Sequence, residues 1–252
     1  MTGSARLDRA LVEAGLARSR AQASDAIRAG RVSVNGVVAS RPSQTVCGTD
    51  LLDLAGADHY VSRAAHKLAG ALAASGIAVP SRVLDAGAST GGFTQVLLEA
   101  GAERVYAVDV GHHQLVPTLR EDPRVVVRER LNLRDLTLAD LDGEPVDLVV
   151  GDVSFISLTL LLAPLFGVLR RDSGALLLVK PQFEVGRAGL DDRGVVRNDE
   201  LRESAVAAVI AAAAALGRVP AWRGESALPG ESGNREYFVH FVPAASLVGG
   251  AG

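Results

Sequence analysis

Two lysines stand alone in this sequence. Of 26 basic side chains 24 are arginine, and the other two are Lys67 and Lys180. Arginine keeps its proton and presents a broad planar fork. Lysine is a compact point charge that can hold or release a proton when partly buried. Lys180 closes the apolar run "ALLLV", residues 175–179, and Pro181 stops the pattern. That run reads as a strand buried on both faces, ending in a charge. Asp152 ends a second such run, "DLVVGDV", and Glu236 opens a third, "EYFVHF". Lys67 lies in "AAHKL", a helical stretch ahead of the first strand of the series. A lysine among carboxylates can polarise a hydroxyl group, accept its proton, or stabilise the alkoxide it becomes.

A second constellation is "LDAGASTGGFT", residues 84–94. Asp85 ends a strand, a turn containing Gly87, Gly91 and Gly92 follows, and a helix begins. Glycines in such a turn let a ligand approach the backbone closely. Ser89 occupies the third position of "GASTGG", so the turn departs from the G-x-G-x-x-G spacing of dinucleotide sites. Asp109 ends the next strand, 24 residues after Asp85. A carboxylate there can accept hydrogen bonds from ribose hydroxyls. Asn132, after the third strand, is a candidate for the adenine side of such a ligand.

These groups need a scaffold, and the pattern from residue 80 onward supplies one. Strand-like runs "RVLDAG", "RVYAVDV", "RVVVRER", "VDLVVGDV", "ALLLVKP" and "EYFVHFVP" alternate with helical stretches. That alternation predicts an α/β domain with a parallel sheet and helices on both faces. Ligands of open α/β sheets bind outside the carboxyl ends of the strands. Asp152 and Lys180 are at such ends, and Glu236 joins them if the last strand runs antiparallel.

At 252 residues and 48% hydrophobic, the chain can bury one large core and a small second domain. Charge divides it the same way. Residues 1–41 carry seven arginines (6, 9, 18, 20, 28, 31 and 41) against Asp8, Glu13 and Asp25, a balance of +4 in a molecule of −3. A basic head on an acidic body suggests a polyanion-binding module. Within it, apolar residues 7, 11, 12 and 16 predict a helix stopped near Gly15. Ser19 caps a second helix that stops at Gly30, and Asn35-Gly36 predicts a tight hairpin. Cys47 is the only cysteine, so no disulfide framework or thiolate zinc site is expected, as suits a reducing cytoplasm. The N-terminus shows no apolar leader. The longest apolar run, Ala205 to Leu216, falls short of the roughly 20 residues that span a bilayer. His66, His112 and His113 lack a partner set for a metal, and none is expected. Phe155 and Phe183, close behind Asp152 and Lys180, could stack on a base but read as core.

Several of these motifs resemble known families. Arg6-Leu7-Asp8, Ser19-Arg20, Ala23, Ile27 and the run from Gly30 to Gly36 resemble the S4-like RNA-binding domain. The Asp-x-Gly-x-x-x-Gly of Asp85 to Gly91 is similar to the loop of S-adenosylmethionine (SAM) methyltransferases. Lys67, Asp152, Lys180 and Glu236 resemble the Lys-Asp-Lys-Glu tetrad of FtsJ-like ribose 2′-O-methyltransferases. "SRAAHKL", "DVSFISL", "LVKPQFEVG" and "LPGESGNREYF" resemble the TlyA family of rRNA methyltransferases.

The resemblance implies a class I, Rossmann-like methyltransferase domain with a mostly parallel seven-stranded sheet, behind a small α+β S4-like domain. The expected boundaries are 1–58 for the S4-like domain, 59–64 for a linker and 65–252 for the FtsJ-like domain. The implied catalytic residues are Lys67, Asp152, Lys180 and Glu236. SAM would be held by Asp85, Gly87, Ser89, Gly91, Gly92, Asp109 and Asn132. Arg6, Arg18, Arg20, Arg28 and Arg31 would grip RNA. The implied substrate is a cytidine ribose in the 16S and/or 23S rRNA of ribosomal subunits, with no obligate protein partner evident. Lys180 is placed either as a base or as a charged stabiliser of the alkoxide, and the residues leave both open. Rival readings are an RNA-binding protein with an inactive methyltransferase fold, a membrane-active haemolysin, and an NAD-binding oxidoreductase. Ser89 counts against the last, and the want of a spanning or basic amphipathic segment counts against the haemolysin.

Overall fold

The structure is a computed structural model that describes residues 4–17, 19–55 and 59–247. The chain divides into two compact units, residues 1–59 and 60–252. In the first, strand β1 (Ser4–Arg6) leads into helix α1 (Leu7–Glu13) and helix α2 (Arg20–Arg28). Strands β2 (Val32–Val34), β3 (Val37–Val38), β4 (Thr45–Cys47) and β5 (Leu52–Leu54) follow. Ser19 caps α2 by accepting the Gln22 N–H at 3.2 Å, and Gly30 takes a left-handed φ of 69° behind it. The Asn35-Gly36 hairpin joins β2 to β3 as the sequence predicts. Two pairings had no sequence signal: β5 adds to β2, and β4 pairs with β1. Leu7, Leu11, Ala23, Ile27 and Val32 form a separate small core.

The second unit opens with α3 (Ala64–Ser75), then β6 (Arg82–Ala86), α4 (Gly92–Glu99), β7 (Arg104–Asp109), the short α5 (Pro117–Arg120) and β8 (Val125–Glu129). It continues with β9 (Val146–Gly151), α6 (Leu162–Gly167), β10 (Leu169–Val179), α7 (Pro181–Glu184), α8 (Asp199–Ala215), β11 (Arg218–Glu225) and β12 (Tyr237–Pro243). The sheet order is β11-β12-β10-β9-β6-β7-β8. β12 runs antiparallel to both neighbours, and the pairs from β10 to β8 are parallel. The mostly parallel, seven-stranded sheet is therefore present.

Its central strands are apolar on both faces because helices cover both. Val83, Leu148, Val150, Leu176 and Leu178 meet α3 and α4 through Leu68, Phe93 and Leu97. Their alternates Leu84, Val149 and Leu177 meet α6 and α8 through Leu162, Val206 and Val209. This is the two-residue period of a pleated strand with each face claimed. The alanine-rich α8 turns only part of its surface inward. Asn198 caps it by accepting the Glu200 and Leu201 N–H groups, and Asp199 and Glu200 suit its positive end. Among the described residues no helix is long and apolar enough to cross a membrane.

Chain order reverses between β6 and β9. The chain goes outward through β7 and β8, then returns to the other side of β6. Such a switch point opens a crevice at the strands' carboxyl ends. Asp85, Asp109, Asp152 and Lys180 all sit at that edge.

Candidate active site

The glycine loop follows β6. Gly87 has a φ of 87°, and a Cβ there would meet the Asp152 carbonyl oxygen at 3.0 Å. The loop thus lies directly against the end of β9. Ser89 is also left-handed, with φ 46°, and its N–H donates to Asp109 Oδ2 at 2.9 Å. Asp109 Oδ1 accepts the Gly111 N–H at 2.7 Å. One carboxylate therefore ties two loops together and still has lone pairs to offer a ligand.

Gly91 and Gly92 also make room for neighbouring chain. A Cβ on Gly91 would run into Leu115 and Leu119, and one on Gly92 into Ser62. Both glycines allow neighbouring chain to close on the start of α4. Asp85 is fully buried and accepts the Thr94 hydroxyl at 2.7 Å, while its Oδ1 has no partner among the described residues. Burial pushes its carboxyl up to about 7, helped by the nearby Asp152 and Asp109 charges and opposed by the Thr94 hydrogen bond.

A cavity of about 600 Å³ opens at the switch point, a size common for small-molecule sites. Gly87, Ser89, Asp109, Asn132, Asp152 and Phe155 are in its wall; Asp85, Gly91 and Gly92 are not. Asn132 caps a short helical turn with its Oδ1, accepting the Arg134 N–H at 3.1 Å. Its NH₂ has no protein partner among the described residues.

The two lysines form two ion pairs; of the four residues Asp152 is in the cavity wall, while Lys67, Lys180 and Glu236 are not. Lys67 Nζ lies 2.7 Å from Glu236 Oε2, with side chains 11% and 2% exposed. Lys180 Nζ lies 2.6 Å from Asp152 Oδ1, with side chains 9% and 13% exposed. The approach to Asp152 is too oblique for a hydrogen bond; Lys180 donates instead to Ser154 Oγ at 2.6 Å. Strand register explains the meeting. Val179 pairs with Tyr237 across β10 and β12, so the next step puts Lys180 opposite Glu236. Leu177 pairs with Gly151, which carries Asp152 to the same edge. Gln182 donates to Glu236 Oε1 at 3.0 Å.

Phe155 corrects a sequence expectation. It is not core but 91% exposed, on a left-handed backbone with φ 66°. Its ring centroid lies 5.4 Å from that of the half-buried Phe183. A bulky residue rarely holds such a φ, and here it turns the ring to solvent.

Comparison with known proteins now bears on this arrangement. Residues 60–242 match the FtsJ-like methyltransferase family, and residues 5–52 match the S4 domain. The chain belongs to the FtsJ-like methyltransferase family. It is 51% identical over 242 residues to the 16S/23S rRNA (cytidine-2′-O)-methyltransferase TlyA of Mycobacterium tuberculosis, covering 95% of this chain and 90% of that one. It is 41% identical to Hemolysin A of Brachyspira hyodysenteriae, covering 94% and 99%. Among solved structures, a putative hemolysin from Streptococcus thermophilus superposes with a TM-score of 0.73 at 38% identity, covering 95% of this chain and 88% of that one.

The S4 domain of this FtsJ-like methyltransferase organises its cations differently from the catalytic unit. Asp8, 3% exposed, receives Arg6 through two bonds of 3.1 and 2.9 Å and Arg20 through one of 3.2 Å. The Arg6 and Arg20 guanidiniums hold the Asp8 carboxyl down at about 2, against the pull of burial. Both arginines stay more than half exposed. Arg28 pairs loosely with Asp25 at 3.2 Å, and Arg31 is exposed. Arg18 lies outside the described residues. Thr94, Ser154 and Gln182 hold Asp85, Lys180 and Glu236, roles that their residue types alone do not reveal. Each lies inside a motif, Thr94 at the end of the glycine loop, Ser154 behind Asp152 and Gln182 behind Lys180, and that position is the one signal of them.

Proposed function

We propose that this methyltransferase moves a methyl group from SAM to the ribose 2′-hydroxyl of a cytidine in the 16S and/or 23S rRNA of ribosomal subunits. The observation that carries the reading is the pair of buried lysine–carboxylate contacts, one of them reaching the cavity wall through Asp152, on an FtsJ-like domain. The rRNA-modifying relative at 51% identity supports the substrate, and the S4 domain supports an RNA partner. A ribosomal target implies a cytoplasmic enzyme.

The cavity fits SAM. Asp109 offers acceptors to ribose hydroxyls, Asn132 offers its NH₂ to a purine edge, and the Asp109 and Asp152 carboxylates suit a cationic ligand. When bound, SAM supplies an electrophilic methyl group on a sulfonium. A 2′-hydroxyl must lose its proton to become a competent nucleophile. Lys180 is the group for that oxygen: it accepts the proton if neutral, or holds the alkoxide by charge and hydrogen bond if charged. Asp152 and Ser154 fix its ammonium head. Glu236 and Lys67 hold each other in one geometry, and Gln182 steadies Glu236, so the second pair orients the ribose. Most of the acceleration comes from this positioning. Phe155 gives an unstacked base a ring to rest on, at a cost of a few kcal/mol for removing it from its helix.

The direct test incubates purified protein with SAM and unmodified ribosomal subunits and maps 2′-O-methyl groups on the rRNA. New methylation at a cytidine ribose is expected. Methyl transfer to a base, or none to any RNA, would overturn the reading. Leakage of dye-loaded liposomes at the same protein concentration would favour the haemolysin reading instead.

A further inference from the structure

We infer that Glu184, the last residue of α7, is a positioning residue for the methyl transfer: it fixes the loop that carries Asp152, Ser154 and Phe155. The inference rests on the methyl-transfer reading above. That loop leaves β9 at Gly151 and has no regular structure until the helical turn Leu158–Leu160. It contains Phe155 at φ 66°, a conformation that is strained for a bulky residue and persists only where surroundings enforce it. At its near end, the Asp152 N–H donates to the Ala86 carbonyl at 3.1 Å. At its far end, both oxygens of one carboxylate are spent on it. Glu184 Oε2 accepts the Ser157 hydroxyl at 2.6 Å, and Oε1 accepts the Leu158 N–H at 2.7 Å.

The contacts run in step along two segments. Lys180 meets Asp152 and Ser154, Phe183 meets Phe155, and Glu184 meets Ser157 and Leu158. The segment that delivers Lys180 therefore also sets the position of its partners. Glu184 is not in the wall of the cavity, so its contribution passes through the loop. Its chemistry there is acceptance of two hydrogen bonds, not charge. A glutamine could keep both contacts. Its carbonyl would accept the Leu158 N–H, its NH₂ would donate to Ser157 Oγ, and Ser157 would turn its proton to Thr159, whose Oγ1 lies 2.6 Å away.

The test measures kcat, and KM for ribosomal subunits, in the full-length protein with labelled SAM, alongside SAM affinity by equilibrium binding. Wild type, Glu184→Ala, Glu184→Gln, Ser157→Ala and the double alanine variant are compared. Glu184→Ala is expected to lower kcat by about 10- to 100-fold, since loss of reacting geometry has costs of that order, with SAM affinity within about twofold. Glu184→Gln is expected to restore kcat to within about threefold of wild type, as a kept hydrogen bond would. Ser157→Ala is expected to lose about threefold, and to lose nothing further in the Glu184→Ala background. Unchanged kcat in Glu184→Ala, or a Glu184→Gln as poor as the alanine variant, would overturn the inference. If Glu184→Ala does not fold, full kcat in Ser157→Ala overturns it. A wild type that transfers no methyl group would instead defeat the functional reading itself.

Discussion

In the S4 domain a single buried carboxylate, Asp8, holds two arginines whose side chains stay more than half exposed. At the edge of the large sheet each of two lysines is buried against a carboxylate of its own. The first arrangement leaves a surplus positive charge facing outward on forks that are already aimed, which suits a phosphate backbone. The second is neutral overall and shielded from water, which suits chemistry at one oxygen atom. Residue type follows the same division. Arginine serves where charge must be permanent and shared, and lysine serves where a compact head must fit among carboxylates. The two lysines of the chain are both in these pairs.

The comparison breaks most visibly if one lysine is removed. Lys67→Ala removes the ion-pair partner of the buried Glu236 and leaves it the Gln182 hydrogen bond among the described residues; an uncompensated buried charge costs about 3–5 kcal/mol. Urea unfolding is expected to show a loss of that order, with methyl transfer abolished. Arg20→Ala leaves Asp8 still paired with Arg6, and half-exposed pairs contribute about 0–1 kcal/mol. Its stability is expected to stay near wild type, while subunit affinity falls several-fold. The slope of log affinity against log salt should drop by about one for each lost phosphate contact. A salt slope identical to wild type would remove Arg20 from the RNA surface. Phe155→Ala is expected to lower transfer to subunits by about 5- to 100-fold, the range of one base stacking on an aromatic ring, with SAM affinity and unfolding midpoint unmoved. A loss of stability instead would return Phe155 to a structural role.

The pH dependence separates the two sites in another way, because two carboxyls should pull in opposite directions. Asp8 is held down at about 2, so its contribution to stability is present above the ordinary carboxylate range and is lost as pH falls through about 2. Asp85 is pushed up to about 7, so the native state binds a proton that the unfolded chain has released. Stability should therefore decline as pH rises from about 4 to about 7. Asp85→Asn should flatten that decline when unfolding is followed across the same window. A variant with the wild-type profile would show that Asp85 is not the group responsible.

Much of this site was legible in the sequence because it rests on strand ends. Apolar runs that stop at Asp152 and Lys180, and begin after Glu236, place those residues by topology alone once the last strand is antiparallel. What was not legible depended on contacts between distant segments or on local backbone. Ser154 meets Lys180 across 26 residues, and Gln182 meets Glu236 across 54. Gly91 and Gly92 make room for Leu119 and Ser62, contacts that their place in a glycine loop does not announce. Phe155 sits in "SFISL", which reads as core until its left-handed turn points it outward. Strand β11 carried no signal either. It is an edge strand, mostly exposed, with Pro220 and Gly224 inside it and an irregular register beside β12, so no buried run announces it.

The central claim is that Lys180 acts on the 2′-hydroxyl and not on the cofactor. The most direct test replaces Lys180 with alanine, then measures methyl transfer from labelled SAM to ribosomal subunits together with SAM affinity. Transfer is expected to fall by about 10²- to 10⁴-fold, the range for a lost acid–base or alkoxide-stabilising group, while SAM binds with nearly unchanged affinity. Transfer at the wild-type rate, or a loss of transfer fully accounted for by lost SAM binding, would contradict it.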